Sequence, residues 1–135
     1  MAAGFLIDTS AVIKYLNGTL TENGLSFMDK VVAEKRTISF ISEIELQSWN
    51  PGHPDDLKIY QFFVANCTII GITDDIIKGT IGIRKSYKLK LPDALIAATA
   101  MVNDMTLIAD NDKDFKQVDK LKYSNPNSVG ANEYR

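Results

Sequence analysis

A chain with one cysteine and one histidine has few routes to thiol or soft-metal chemistry. Cys67 has no second cysteine to pair with. Its place inside the apolar run Val64 to Ile70 reads as a small core side chain in a reducing compartment, not as a nucleophile. The lone histidine, His53, sits in the turn-rich segment Asn50-Pro51-Gly52-His53-Pro54 and is expected to be an exposed loop residue. Together the two cannot assemble a zinc cluster. No G-x-S-x-G elbow is present to support a Ser-His-Asp triad, and no GxxxxGK[ST] loop to bind a nucleotide phosphate. No segment approaches the ~20 apolar residues of a membrane span, and Met1-Ala2-Ala3-Gly4 carries no basic leader, so the expected location is the cytoplasm. With 15 basic and 17 acidic residues, a net charge of −2, the chain cannot grip nucleic acid by overall positive charge. Any such contact must come from a local patch.

What is present is enough apolar residue for one well-buried core: 45% of 135 residues, which implies a single domain spanning 1–135. Short β-branched runs alternate with amphipathic stretches. Strands are expected at Phe5 to Asp8, Thr37 to Ile41, Cys67 to Ile70 and Thr106 to Ala109, and helices at about 23–35, 54–65, 74–87 and 92–103. This alternation implies an α/β layered fold with a mostly parallel sheet. In the third helix Ile77, Thr80, Ile81 and Arg84 share one stripe, with Asp74 placed as N-cap. The fourth is apolar almost all round after Asp93, which predicts a helix buried on most sides and opened by Pro92. The tail from Tyr123 to Arg135 has few apolar residues, can bury little, and is the segment expected to be mobile.

The acids fall at repeating places. Asp8 ends the first strand, Glu45 follows the second, Asp93 opens the buried helix, and Asp110 to Asp114 follow the last strand. In a parallel sheet these positions converge at the carboxyl edge, where open α/β sheets bind ligands. Taken singly, each has a structural reading: Asp93 in a first turn complements the helix dipole for ~0.3–1 kcal/mol, and Glu45 fits a solvated helix face. Taken together, crowded carboxylates repel one another, and a hard divalent cation, Mg²⁺ or Mn²⁺, would neutralise them. The segment Asp110-Asn111-Asp112-Lys113-Asp114 imitates a calcium loop, but Phe115 stands where an EF-hand needs glycine and Leu121 where it needs glutamate.

Phe5-Leu6-Ile7-Asp8-Thr9-Ser10, Ile41-Ser42-Glu43-Ile44-Glu45-Leu46, Leu91-Pro92-Asp93-Ala94-Leu95-Ile96-Ala97-Ala98 and Thr106 to Phe115 follow one another in an order that resembles the PIN-domain family, in particular its VapC-type toxins. The resemblance runs from about residue 4 to 126. It implies a three-layer α/β/α fold and a metal-dependent ribonuclease with an acidic pocket for Mg²⁺ or Mn²⁺. It further implies an antitoxin partner and a homodimer. By position it makes Asp8, Glu45, Asp93 and Asp112 the catalytic and metal-holding acids, with Ser10 a neighbouring hydroxyl. Asp110 is the reserve for the fourth acid, Asn111 a further candidate, and Ala109 stands where the family usually has threonine. Glu43 competes with Glu45, but residues two apart on a helix point to nearly opposite faces, and the register before Leu46 selects Glu45.

Arg84, Lys85, Lys88 and Lys90 lead directly into Asp93. They read equally well as phosphate contacts for RNA and as dipole partners of a helix C-terminus. Two other readings of the chain stand beside the nuclease. One is a catalytically silent module that keeps the fold and binds RNA or a protein. The other is a dehalogenase-like phosphatase, whose D-x-D-x-T pattern would need aspartate where this chain has Ser10.

Overall fold

Three-residue strands contribute little by pairing alone, so this sheet depends on what covers its two faces. The computed structural model describes residues 4–48, 50 and 52–130. In chain order the elements are β1 (Phe5–Ile7), α1 (Thr9–Asn17), α2 (Glu22–Glu34), β2 (Thr37–Ser39), α3 (Phe40–Ser48), α4 (Pro54–Ala65) and β3 (Thr68–Ile70). There follow α5 (Asp74–Ser86), α6 (Leu91–Val102), β4 (Thr106–Ile108), α7 (Asp112–Phe115), β5 (Tyr123–Ser124) and a 3₁₀ turn at Pro126–Ser128.

β4 lies between β1 and β5, β2 pairs with β3, and every ladder among the described residues is parallel. β1 also runs beside β2, giving the spatial sequence β3, β2, β1, β4, β5. Register determines the layers. Leu6 pairs with Leu107 and Ile7 with Ile108, and alternate side chains leave a strand on opposite faces. Leu6 and Leu107 enter a core with Ile76, Ile83, Ile96 and Phe115 from α5, α6 and α7. Ile7 and Ile108 enter a second core with Val12, Met28, Leu46 and Tyr60 from α1 to α4. Burial on both faces explains why the strands read as unbroken apolar runs. The result is the three-layer α/β/α arrangement with a parallel sheet that the sequence implied.

Several local expectations are revised. The second strand stops at Ser39 instead of Ile41, because the Ser39 hydroxyl accepts the Ser42 N–H (3.2 Å) and starts α3 at once. α1, which the sequence reading lacked, is started by Asp8 and stopped by Gly18 at φ 71°, a left-handed conformation that glycine adopts without strain. Thr73, not Asp74, caps α5 through the Ile76 N–H, and the buried stripe is Ile76, Thr80 and Ile83, leaving Ile77 and Ile81 about half exposed. His53 is exposed, as expected, but also caps α4, its Nδ1 accepting the Asp55 N–H at 3.2 Å. Cys67 is half-buried, and burial pushes its thiol up to about 11, which leaves no thiolate at neutral pH.

The largest revision is the tail. Tyr123 and Ser124 extend the sheet, Asn125 is buried, and the 3₁₀ turn packs on α2; residues 131–135 lie outside the described residues. The contact with α2 requires glycine at position 24, where an added Cβ would stand 2.3 Å from the Pro126 carbonyl oxygen. Gly24→Ala should therefore destabilise the protein by about 1–3 kcal/mol, the usual cost of overpacking. A lower urea midpoint at unchanged slope is the expected result. An unchanged midpoint would mean that the turn does not seat on α2. No helix among the described residues is long and apolar enough to cross a membrane.

Candidate active site

Parallel strands deliver their following residues to one edge, and each element there contributes a polar side chain. Asp8 leaves the end of β1, α3 follows β2 without a loop and carries Glu45, and Asp110 and Asn111 follow β4. Asp93 comes from the first turn of α6, where Pro92 supplies a preset φ and no N–H is needed. A cavity of about 330 Å³ opens between them, with Asp8, Thr9, Glu45, Asp93, Asp110 and Asn111 in its lining. Glu43 is not in the lining.

Asp8 is 6% exposed and caps α1: its Oδ2 accepts the Ser10 N–H at 3.1 Å and the Ser10 hydroxyl at 2.6 Å. Burial dominates over those bonds and, with Asp93 and Glu45 adding like charge, raises its pKa from 3.8 to about 6. The Asp93 carboxyl is also raised, first by burial and then by Asp114 and Glu45, with the Lys90 charge opposing. Glu45 is held through Thr9, whose hydroxyl donates to Oε1 at 2.6 Å and lies 2.9 Å from the Ser42 hydroxyl. These three acids repel one another across one cavity.

The acids after β4 behave differently. Asp110 accepts from Lys14 Nζ through one oxygen, from Asn125 Nδ2 through the other (2.7 Å), and from Asn127 Nδ2 at 3.2 Å. Its pKa is lowered, first by the bond from Lys14. Asp112, the expected fourth acid, is absent from the cavity lining. Its Oδ1 takes the Tyr123 hydroxyl at 2.6 Å and Asn125 Nδ2 at 3.0 Å, and Lys116 Nζ lies 3.5 Å from Oδ2. α7 starts at Asp112 with Asn111 as its cap, which turns residue 112 toward β5 while Asp110 and Asn111 face the cavity. The reserve acid and its asparagine neighbour thus occupy the place expected of Asp112.

The donor set is carboxylate and hydroxyl oxygen, which suits a hard cation. Among the described residues no group of three Asp, Glu, His or Cys side chains is arranged to hold an ion by itself. Mg²⁺ keeps several of its waters and takes only one or two carboxylates, so an open trio of Asp8, Glu45 and Asp93 fits a hydrated ion better than a closed cage. Thr9, Lys14, Asn125 and Asn127 were missed as site residues. Lys14 had a local signal, since it lies one turn after Ser10 on the same face of α1; the asparagines had none.

A second cavity, of about 510 Å³, is lined by Arg84, Tyr87, Lys88, Leu89 and Lys90. Arg84 Nη1 donates to the Leu89 carbonyl at 2.9 Å and shapes the turn between α5 and α6. Lys90 caps α6 without a side-chain bond to its backbone. Lys85 is outside the lining.

The family model of the PIN domain matches residues 5–121. Comparison with the curated proteins finds no match. Among solved structures, a toxin–antitoxin complex from Klebsiella pneumoniae is 28% identical, with TM-score 0.68 over 90% of this chain and 96% of that one. VapBC2 from Rickettsia felis, bound to a DNA fragment from its promoter, is 21% identical with TM-score 0.75, over 90% and 98% of the two chains. FitAcB from Neisseria gonorrhoeae is 19% identical with TM-score 0.79, over 93% and 99%.

Proposed function

The chain belongs to the PIN-domain family, and from that premise we propose that it is a metal-dependent endoribonuclease, the toxin of a toxin–antitoxin pair. The observation that carries this reading is the repulsion of Asp8, Asp93 and Glu45 across one cavity, a cost that a bound Mg²⁺ or Mn²⁺ would remove. Asp8, Glu45 and Asp93 would hold the ion, with Asp110 or Asn111 at the rim. When bound, such an ion lowers the pKa of a water and stabilises charge on a scissile phosphate. The chain's own part is positional: Ser10 fixes Asp8, and Thr9 fixes Glu45. A likeness to toxins solved with their antitoxins supports a cognate antitoxin as partner. A homodimer in the cytoplasm completes the reading.

RNA cleavage should require the divalent ion and stop on exhaustive EDTA treatment. The measurement is digestion of an RNA panel with and without Mg²⁺ or Mn²⁺, with Glu45→Gln inactive and Glu43→Gln close to wild type. Equal loss in the two variants would place the wrong glutamate at the cavity. The open arrangement of the acids favours one rival, a silent module that binds RNA or protein without cutting it. Absence of cleavage in every metal condition, with RNA binding intact, would establish that rival.

An anionic cavity needs cations nearby to admit RNA, and the cleft beside α6 offers Lys88 and Lys90. Neutralising both should weaken RNA binding and reduce the slope of log K against log salt by about 1.4, close to 0.7 per lost single-strand phosphate contact. An unchanged slope would leave them as helix-end residues.

A further inference from the structure

The carboxyl end of the described chain reaches back to the loop that carries Asp110. Asn125 is 8% exposed, and its single side-chain amide donates to both Asp110 Oδ1 (2.7 Å) and Asp112 Oδ1 (3.0 Å). Its own Oδ1 accepts the Asn127 N–H at 2.9 Å, which fixes the rotamer from the other side. Asn127 in turn donates to Asp110 Oδ2 at 3.2 Å and accepts the Thr21 N–H at 3.1 Å, tying the turn to the start of α2. The Asp110 N–H then donates to the Ser10 hydroxyl at 3.2 Å, and Ser10 donates to Asp8 at 2.6 Å. A continuous hydrogen-bonded path therefore runs from β5 and the 3₁₀ turn, through Asp110 and Ser10, to the most buried acid of the cavity.

We propose that Asn125 is a positioning residue of the nuclease site. It clamps Asp110 and Asp112 together and, through the Asp110 backbone and Ser10, sets the orientation of Asp8. Asn125 is the group that touches both carboxylates, while Lys14 and Asn127 hold Asp110 alone and Tyr123 and Lys116 hold Asp112 alone, and an amide with two hydrogens can bridge the pair. Asn125 does so from the position directly after β5, a strand locked by the Leu107–Tyr123 and Ile108–Ser124 register. Asp110, with acceptor sites on both oxygens engaged by Lys14, Asn125 and Asn127, belongs to this scaffold. The start of the segment that composition marks as a mobile tail is thereby part of the site. The catalytic consequence rests on the nuclease reading above, but the structural link does not.

Two measurements on Asn125→Ala and on the milder Asn127→Ala separate these levels. Amide hydrogen exchange reads the clamp without activity. In Asn125→Ala the Asp110 amide should exchange at least about tenfold faster while Leu107, in the same strand register, keeps its rate, a local opening and not a global one. The turnover of RNA should fall by about 10- to 100-fold, the size expected when a supporting partner of a metal site is removed, with KM changed by less than about threefold. Asn127→Ala should move both readouts in the same direction by less. Equal acceleration at Asp110 and Leu107, or exchange at Asp110 that does not change, overturns the proposal and leaves Asn125 as a fold staple. If wild type cuts no RNA, the nuclease reading fails, and the exchange result alone still decides whether Asn125 holds the acid loop.

Discussion

Replacing Asp8 with asparagine is expected to abolish RNA cleavage and, at the same time, to raise the melting temperature of the metal-free protein at neutral pH. Both effects come from one cause. Asp8 is buried, its carboxylate accepts from Ser10, and Asp93 and Glu45 add like charge beside it. Raising the pKa from 3.8 to about 6 means that folding disfavours the charged form, by roughly 3 kcal/mol at 1.36 kcal/mol per pKa unit. Asparagine removes that charge and keeps the cap, because Asn and Asp cap helices about equally well. Part of the gain is lost with the charge-assisted bond from Ser10, so about 1–3 kcal/mol of stabilisation is expected. Activity should fall by at least about a thousandfold, since an ion at such a site contributes several kcal/mol to the transition state.

The pH dependence gives an independent check. A carboxyl whose folded pKa lies above its unfolded value binds more protons when folded, so the metal-free wild type gains stability as pH falls from about 6 toward 3.8. The gain is complete below the unfolded pKa. Asp104, Asp110 and Asp112, whose pKa values are lowered, act with the opposite sign and lose their contribution only below the usual carboxylate range. Thermal melts in EDTA at about pH 7, 5 and 4 should therefore bring wild type closer to Asp8→Asn as the pH falls. Parallel curves with no convergence would mean that Asp8 titrates as an ordinary surface acid.

Those features of the site that depend on one element end were legible in the sequence. Asp8 follows directly on a strand and Asp93 lies in the first turn of a helix, positions that a parallel sheet collects at one edge, whereas Glu45 lies in the middle of α3 and was selected by its register before Leu46. The two-sided core was legible for a related reason, since strands covered on both faces need apolar residues without alternation. What was not legible depends on distant partners. The choice between Asp110 and Asp112 is made by Tyr123, Asn125 and Lys14, and Lys14 lies ninety-six positions from Asp110 in the chain. No local pattern encodes that pairing. The stripe of α5 was ambiguous in the same way: Ile77 and Ile81 make as good a helical face as Ile76 and Ile83. Gly79 decides it, because a Cβ there would stand 3.3 Å from the Ala98 Cβ, so α5 presents the Ile76–Gly79–Ile83 side to α6. The first half of the tail is held by few apolar residues, Tyr123, Pro126 and Val129, together with Asn125, which satisfies its polar atoms inside the fold, so composition alone does not reveal it.

Asp93→Asn should separate a metal ligand from a helix-start acid by the way it changes two melting temperatures. In EDTA the variant should melt above wild type. Asp93 is disfavoured as a carboxylate first by burial and then by the charges of Asp114 and Glu45, and removing its charge relieves all three. Working against this is the loss of a negative charge in the first turn of α6, worth about 0.3–1 kcal/mol, and of the attraction to Lys90. Mn²⁺ then acts on wild type by a different route. An ion that binds only the folded state stabilises by RT ln(1 + [L]/Kd), about 2.7 kcal/mol at a hundredfold excess over Kd, and should raise the melting temperature by several degrees. The asparagine variant has lost one of the three acids whose repulsion the ion relieves, so it should show only a small part of that rise. The order of stability therefore inverts: variant above wild type in EDTA, wild type gaining on or passing it in Mn²⁺. Equal metal-induced rises in the two proteins would assign Asp93 to the helix start alone and leave the cavity without its third ligand.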